Sequence, residues 1–253
     1  ENQSAGAERA GKLPQSALRQ GTNSWPPTNT SKEMKIIQHS STGAVIESGD
    51  GARLEFDFKS QQDYMAPLFS GPSWGTMIWD GSIKLCDFLE KINKEEIKGK
   101  KVLEIGACCG LPGILCSLIG AEHTTLTDLE EYVESLERAV EMNKDTLQNN
   151  SITIQELKWG EDSAHAYVQK YGHADLILAA ECVSTDVYGR ESWEALVQVL
   201  QIICKPKGGR VIMCSARRKN DGLGEFLDII SPSFQKHIVH NLEQSVEIHD
   251  FYT

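Results

Sequence analysis

The sequence predicts an α/β fold: a seven-stranded, mostly parallel sheet with helices on both faces and an antiparallel hairpin at its C-terminal end. Three observations predict it. Apolar runs of strand length alternate with helix-like segments from residue 101 to residue 230, and such alternation builds a parallel sheet with crossover helices. The run at 174–180, ADLILAA, is apolar on both faces, as a central parallel strand requires. A glycine-bearing turn at 106–110, GACCG, joins the first strand to a helix, which is typical of a nucleotide pocket.

The first part of the chain predicts an arm and a small β extension. Residues 1–34 are rich in Ser, Asn, Gln, Gly and Pro and poor in apolar residues, and this composition indicates a flexible arm. Two alternating patches, 35–39 and 52–58, flank the turn sequence SGDG at 48–51 and predict a β-hairpin. The main domain is therefore expected to span residues 35–253, with the hairpin as its N-terminal extension.

Hydrophobic periodicity gives each element of the main domain its bounds. The predicted strands cover residues 101–105, 124–127, 152–157, 174–180, 210–215, 234–240 and 245–251. The predicted helices, whose apolar residues recur every three or four positions, cover residues 81–92, 111–119, 131–145, 163–171, 192–203 and 224–230. The last two strands have no helix between them, so they are expected to pair as an antiparallel hairpin at the edge of the sheet.

Composition and charge narrow the classes of function. The net charge of −11 argues against a nucleic-acid partner, and the chain has no apolar run of about 18 residues, so no membrane span is expected. The seven cysteines lie mostly in apolar segments and form no C-x-x-C pair, and the histidines show no ligand spacing. These patterns indicate reduced thiols, a location in the cytoplasm with the nucleus as a further compartment, and no metal site. The oligomeric state stays open, with a monomer favoured.

The turn after the first strand is the candidate ligand site. Gly106 and Gly110 let the backbone approach a ligand closely, and the helix that follows offers free N–H groups. The spacing matches neither the dinucleotide fingerprint nor the P-loop. Glu104 interrupts an apolar run two residues before the first glycine, and a buried carboxylate needs donors or a nearby cation. This favours a nucleoside that carries a sulfonium or ammonium group, the alternative being a solvated strand end.

Asp128 is the second candidate carboxylate. It ends the second predicted strand, 22 residues after Gly106. In a doubly wound sheet an acidic residue at this place faces a ribose, and a carboxylate can accept hydrogen bonds from both ribose hydroxyls. The alternative role for Asp128 is that of N-cap of the next helix.

Taken in order, these motifs resemble the seven-strand S-adenosylmethionine-dependent methyltransferases, and more narrowly the methyltransferase-like branch of protein-lysine methyltransferases. The resemblance covers about residues 74–252 and is carried by GTMIWD at 75–80, VLEIGACCGLPG at 102–113, LTD at 126–128, WG at 159–160 and DLILAAE at 175–181. It implies a Rossmann-like fold and S-adenosyl-L-methionine as cofactor. It also implies an N-methyltransferase whose substrate is a lysine of a non-histone protein.

The resemblance further implies which residues bind the cofactor: Trp79, Glu104, Gly106, Ala107, Cys108, Gly110, Asp128, Trp159 and Ala180. Glu104 and the glycines of the turn would line the methionine end, and Asp128 would hold the ribose. Trp159 would pack on the adenine and Trp79 would close the pocket. For either tryptophan the alternative is ordinary core packing.

Two positions depart from the family pattern. Cys108 stands at the middle glycine of Gly-x-Gly-x-Gly, where its side chain is expected to narrow the approach to the cofactor. The acidic-x-x-aromatic motif after the fourth strand reads Glu181-Cys-Val-Ser184, which keeps the acid and loses the ring; Tyr188, four residues on, is a candidate replacement. Glu181 is expected to hold and orient the substrate amine rather than to act as a general base, and its alternative is a polar strand end or helix cap.

Three functions therefore stay open. The first is protein-lysine methylation, and the second is methylation of another protein side chain or of a small molecule, since the fold serves many acceptors. The third is a catalytically weak, cofactor-binding interaction protein, which the two departures favour. The basic run Arg217-Arg218-Lys219 after the fifth strand is expected to be a solvated loop, the alternative being a surface that steers an acidic partner.

Overall fold

A computed structural model describes residues 34–40, 43–57, 78–148, 151–219, 221–242 and 245–253. All but the last residue of the predicted N-terminal arm lies outside the described residues, as do residues 58–77. Among the described residues, no helix is both long and apolar enough to cross a membrane. The same residues contain no cluster of three or more His, Cys, Asp or Glu suited to a metal ion.

The described residues form ten strands and eight α-helices. The strands are β1 Lys35–Ser40, β2 Gly43–Glu47, β3 Arg53–Asp57, β4 Lys101–Ile105, β5 His123–Asp128, β6 Ile152–Glu156, β7 Leu176–Ala180, β8 Arg210–Ala216, β9 Lys236–Asn241 and β10 Val246–Tyr252. The helices are α1 Asp80–Lys91, α2 Leu111–Ile119, α3 Glu130–Met142, α4 Lys144–Leu147, α5 Glu161–Tyr171, α6 Thr185–Tyr188, α7 Ser192–Ile203 and α8 Leu223–Ile230.

The large sheet has seven strands in the order β6-β5-β4-β7-β8-β10-β9. Strands β4 to β8 pair in parallel, whereas β10 is antiparallel to both β8 and β9. The predicted α/β fold with its antiparallel C-terminal hairpin is thereby confirmed. Strand order reverses between β4 and β7, so the carboxyl ends of β4, β5 and β7 surround the crevice in which such sheets bind ligands.

Two apolar clusters cover the two faces of this sheet. On one face, α1, α2 and α3 bury residues such as Phe88, Ile114 and Leu136. On the other face, α5, α7 and α8 bury residues such as Trp193 and Phe226. The central strand β7 is buried along its length except at its last residue, as its two-sided apolar sequence predicts. The sheet is therefore covered on both faces, and the edge formed by its strand ends is the part left for a ligand.

The N-terminal extension differs from its prediction. Instead of a hairpin it is a three-stranded antiparallel sheet, in which β2 lies between β1 and β3. The middle strand escaped notice because its short stretch, GAVIE, alternates only two buried residues, Ala44 and Ile46, with half-buried ones. Asn143 couples this sheet to the main domain: its Oδ1 accepts from Glu55 N–H at 2.8 Å, and its Nδ2 donates to Glu55 O at 2.7 Å.

Asn143 also explains the one helix whose bounds were clearly misjudged. The predicted helix at 131–145 is divided into α3 and α4 at this residue. The side-chain amide of Asn143 donates to the carbonyl of Ala139 at 2.7 Å, and such local side-chain bonds compete with a continuing helix. The short helix α6 was not predicted either, because four residues are too few to show a periodic pattern.

Candidate active site at the carboxyl ends of β4, β5 and β7

The turn between β4 and α2 depends on glycine. Gly106 has φ +60° and Gly110 has φ +73°, values in the left-handed region that other residues rarely adopt. A Cβ on Gly106 would lie 3.1 Å from Cys182 Sγ and 3.8 Å from Trp159 Cζ2. Glycine therefore keeps a gap between the turn and these two side chains, and a ligand can reach the backbone there.

Glu104 is buried, with 1% of its surface exposed. Its Oε2 accepts from the N–H of Gly113 in the first turn of α2 at 2.7 Å. Burial raises the pKa of this carboxyl well above its usual range, against the smaller effect of that hydrogen bond. Among the described residues it has no other hydrogen-bond donor and no cationic partner. A cationic ligand group would supply what the site lacks, as the sequence predicts.

Asp128 ends β5 beside the same turn. Its Oδ2 accepts from Cys108 N–H and its Oδ1 from Leu129 N–H, both at 2.8 Å. Burial raises its pKa to about 6. The N-cap alternative is not what forms: Leu129 is the N-cap of α3, and that helix end has no side-chain capping bond among the described residues. Each carboxylate oxygen keeps a second lone pair for a donor such as a ribose hydroxyl.

Cys108 completes the turn in a strained conformation. Its φ is +54°, so the turn contains a non-glycine residue for which the left-handed region costs about 1–2 kcal/mol. The thiol is buried and hydrogen-bonded to Cys109. This bond and burial raise the pKa of Cys108, whereas the same bond lowers the pKa of Cys109 against the effect of burial. Ala107, also buried, donates its N–H to the carbonyl of Thr127 at 2.9 Å. The turn is thus fastened to β5 at two successive residues.

Glu181 occupies a separate corner, one residue beyond β7. It adopts φ +55° and is 7% exposed. Its Oε1 accepts from Ala216 N–H at 3.0 Å, and its Oε2 lies 3.3 Å from Arg218 Nη2. A Cβ on Gly81, at the start of α1, would lie 2.5 Å from Oε1, so the carboxylate needs glycine at that place. Burial raises the pKa of Glu181, and the charge of Arg218 opposes the rise.

One buried thiol connects the two regions. Burial raises the pKa of Cys182 well above its usual range, and the charges of Asp128, Glu104 and Glu181 add to the rise. The Sγ of Cys182, the residue after Glu181, donates to the carbonyl of Ile105 at 3.3 Å and would lie 3.1 Å from a Cβ on Gly106. A buried cluster of carboxylates favours a cationic ligand, because each charge left unpaired in the interior is costly.

A comparison with known proteins assigns the chain to a family. Residues 69–232 match the model of a family described as lysine methyltransferase. The chain belongs to this lysine methyltransferase family. It is 32% identical over 173 residues to EEF1A lysine methyltransferase 3 of Xenopus tropicalis, covering 68% of this chain and 72% of that protein. It is 36% identical over 164 residues to protein N-lysine methyltransferase METTL21A of Danio rerio, covering 65% and 70%.

The fold of this lysine methyltransferase has a counterpart among solved structures. The 16S rRNA N2 G1207 methyltransferase of T. thermophilus, solved with AdoMet and guanosine, superposes with a TM-score of 0.58 at 14% identity. The match covers 90% of this chain and 52% of that one. Family and fold together make the protein an S-adenosylmethionine-dependent methyltransferase acting on protein lysine, as the sequence predicts.

The residues present fit S-adenosylmethionine. Gly106 leaves the gap that a Cβ would fill, and Glu104 lacks the cationic partner that the ammonium group of the methionine end would provide. Asp128 has acceptor capacity to spare for the ribose. Trp159 is half-buried and follows β6 at the same edge of the sheet, next to the turn that its ring faces across Gly106.

The other two predicted cofactor residues lie nearer Glu181. Trp79 is the N-cap of α1, and its carbonyl accepts from Ser82 N–H at 2.9 Å. Ala180 is the last residue of β7 and pairs with Cys214. Both residues are half-buried. The structure thus brings every predicted site residue to one edge of the sheet, while the contact of each with the cofactor stays a prediction.

Sequence reasoning missed three contributors to the lysine methyltransferase site: Gly81, Cys182 and Arg218. Cys182 follows Glu181 directly, which was the available signal. Gly81 and Arg218 are far from Glu181 in sequence and gave none. The basic run Arg217-Arg218-Lys219, predicted to be a solvated loop, is solvated only in part. Arg218 is about half exposed but contacts Glu181, and Arg217 lies 3.8 Å from Asp221.

Proposed function

We propose that this lysine methyltransferase modifies a lysine of a non-histone protein and that Glu181 receives the lysine side chain. The observation that carries the proposal is the buried carboxylate of Glu181, one residue beyond β7. The next residue, Cys182, lies against Gly106 of the turn at residues 106–110, called the cofactor turn below. A lysine entering this corner meets an acceptor for its ammonium group within the same crevice that serves the cofactor. Carboxyl ends of strands at the switch point are where such sheets place ligands.

The chemistry needs positioning more than covalent help. S-adenosylmethionine, when bound, supplies an electrophilic methyl group for in-line transfer to the amine. The amine must be neutral to accept it, and removing its proton at pH 7.4 costs roughly 4 kcal/mol in water, because the lysine pKa is about three units higher. Burial in the crevice lowers that cost. Glu181 binds the ammonium form on entry and then orients the neutral amine.

Arg218 has a defined place in this scheme. It occupies one oxygen of Glu181 while Ala216 N–H occupies the other. The arriving ammonium group replaces Arg218 at this oxygen, because two cations held at one carboxylate oxygen would repel each other. Such an exchange spares Glu181 from being buried without a cation at any stage, which would be costly.

The class of substrate is supported by the relatives and by charge. One relative is named for EEF1A, which is not a histone, and both are named as lysine methyltransferases. A net charge of −11 favours a basic surface around the acceptor lysine.

The reduced, buried cysteines support a cytoplasmic location, with the nucleus as a second compartment, and we propose a monomer as the working state.

A labelling experiment tests the proposal. The purified protein is incubated with tritiated S-adenosylmethionine and a protein extract, and labelled proteins are analysed by mass spectrometry. We expect the methyl group on lysine of a non-histone protein, and no label with Asp128→Ala. Label confined to small metabolites or to another side chain would contradict the lysine assignment. Cofactor binding without any label would favour the interaction protein instead.

A further inference from the structure

Tyr188 is an aromatic residue that the scheme above does not use. It ends α6, and its N–H donates to the carbonyl of Ser184 at 2.9 Å. Residues four apart in a helical turn lie on the same face, and helical side chains lean toward the N-terminus. Tyr188 therefore lies one helical turn beyond Ser184, the position at which the family pattern carries an aromatic residue.

The surroundings of Tyr188 belong to the cofactor side of the crevice. Its ring centroid lies 5.2 Å from that of Trp159, with the planes tilted by 46°. Although 38% of the residue is exposed, burial around its hydroxyl raises the pKa of Tyr188, and the charges of Cys182 and Asp128 add to the rise. Because a Cβ on Gly106 would lie 3.8 Å from Trp159 Cζ2, the ring contact with Trp159 places Tyr188 beside the turn at residues 106–110.

The region around Glu181, with its partners Ala216 and Arg218, is called the acceptor corner here, and its charged neighbours differ from those of Tyr188. The charges that act on the pKa of Glu181 are those of Arg218 and Asp80, whereas the charges that act on Tyr188 come from residues of the cofactor turn and its surroundings. The ring contact of Tyr188 with Trp159 is the geometric observation that places this ring on the nucleoside side of the crevice.

Although α6, the helix that carries Tyr188, has only four residues, hydrogen bonds fix its position. Thr185, its first residue, donates through Oγ1 to the carbonyl of Asp221 at 3.1 Å. The carboxylate of Asp221 is itself fixed by the N–H groups of Arg218 and Leu223, each at 2.9 Å. These bonds join α6 to the loop between β8 and α8, so the backbone at Tyr188 has a fixed position.

We propose that Tyr188 and Trp159 form an aromatic corner that binds the adenine of S-adenosylmethionine, with Tyr188 contributing a binding surface of its own. The proposal rests on the proposed function for the presence of the cofactor. Ring centroids in aromatic contacts lie about 4.5–7 Å apart, so at 5.2 Å these rings already touch and leave no space for a base between them. The base stacks on one ring with its edge toward the other.

Titration calorimetry with two probes, S-adenosylhomocysteine and adenosine, tests the corner. Tyr188→Ala is expected to weaken both by about 10-fold, because stacking on an aromatic ring is worth that order for a base. Tyr188→Phe keeps the ring and is expected to stay within about 3-fold of the wild type. Tyr171→Ala removes another half-exposed tyrosine, on α5, and is the matched control, with no change expected.

The outcomes separate this inference from the proposed function. If the wild type binds neither probe, the cofactor site itself is wrong. If the wild type binds and Tyr188→Ala binds equally well, only the aromatic corner is overturned. Unchanged binding together with a raised KM for the acceptor would place the ring beside the substrate, against the proposal. A Tyr188→Phe variant as weak as Tyr188→Ala would show that the ring is not what binds.

Discussion

The cofactor turn and the acceptor corner use buried carboxylates in different ways. At the turn, Glu104 and Asp128 accept hydrogen bonds from backbone N–H groups. At the corner, Glu181 accepts one backbone N–H and is also paired with the guanidinium of Arg218, whose side chain is 49% exposed. The first region is held by the main chain, whereas the second depends on a long side chain that solvent reaches.

The difference matches the two ligands. Backbone donors at a turn fastened to β5 do not move when a ligand arrives, so the cofactor side is preorganised. The Arg218 side chain is 49% exposed, so its guanidinium can return to water when another cation takes its place at the buried Glu181. The acceptor corner can therefore release its own cation and admit another.

Replacing Asp128 tests the preorganised side and carries the largest expected effect. Asp128→Ala removes the acceptor for two ribose hydroxyls, and hydrogen bonds to a charged group contribute about 1.5–3 kcal/mol each. We expect S-adenosylmethionine to bind at least about 100-fold more weakly by calorimetry. Glu156→Ala, an exposed carboxylate beside Asp128 in the register of β5 and β6, is the control and should bind normally. Equal binding by all three proteins would rule out the ribose role.

Replacing Glu181 tests the acceptor side alone. Glu181→Gln keeps an oxygen for Ala216 N–H and loses the charge that attracts the ammonium group. We expect kcat/KM for the acceptor to fall by about 10- to 100-fold, since the lost bond is charge-assisted. The dissociation constant of S-adenosylmethionine is expected to stay within about 2-fold. A cofactor affinity that falls as far as turnover would mean that the two regions are not separate.

Removing Arg218 sharpens the contrast through pH. Burial raises the pKa of Glu181 and Arg218 lowers it, so Arg218→Ala raises this pKa further. The carboxylate is ionised above its pKa, and activity is therefore lost as pH falls through that value. We expect the acidic limb of the profile of kcat/KM against pH to move to higher pH, with about 10-fold less activity at the pH of the wild-type midpoint.

Two neighbouring variants control the arginine experiment. Arg217→Ala removes an equal charge that lies near Asp221 and Glu247 instead, and the profile should not move. Arg218→Lys keeps the charge and should leave the limb near its wild-type position. A limb that stays in place in Arg218→Ala would show that this ion pair does not govern Glu181.

Cys108→Gly probes the strain in the cofactor turn and has the smallest expected effect. Glycine relieves a left-handed conformation that costs about 1–2 kcal/mol but loses about 0.5–1 kcal/mol more chain entropy on folding. We expect the free energy of unfolding to change by less than about 1.5 kcal/mol. Affinity for S-adenosylmethionine should rise a few-fold as the approach widens. Cys108→Ala keeps the Cβ and should bind like the wild type; if it gains affinity equally, the thiol rather than the Cβ is the obstacle.

The strands and helices of the main domain were predictable because their signal is local. Apolar runs and helical spacing placed most of them within two residues of their positions in the structure. The exceptions have physical reasons. Asn143 interrupts a helix through a side chain that also bonds to Glu55, 88 residues away, and β2 is recognisable only beside its partners.

The residues of the candidate site were likewise predictable only where their signal is local. Glu104, Asp128 and Glu181 could be found because each follows or ends an apolar strand, and strand ends of a parallel sheet meet at one edge. Arg218 and Gly81 could not be found, since their roles exist only where the β7 end, the β8 end and the start of α1 come together. Tyr188 was noticed for its ring, but its side of the crevice was not fixed by spacing.

The sequence by itself determined the architecture, the class of ligand and the positions of the acidic residues, because these depend on residue type, order and period. Tertiary structure decided the partners: which carboxylate is held by main-chain N–H groups, which by an arginine, and which ring faces the nucleoside. Such pairings depend on distances of a few ångströms between segments far apart in the chain, and no local pattern encodes those distances. Only the packed sheet and its loops set them.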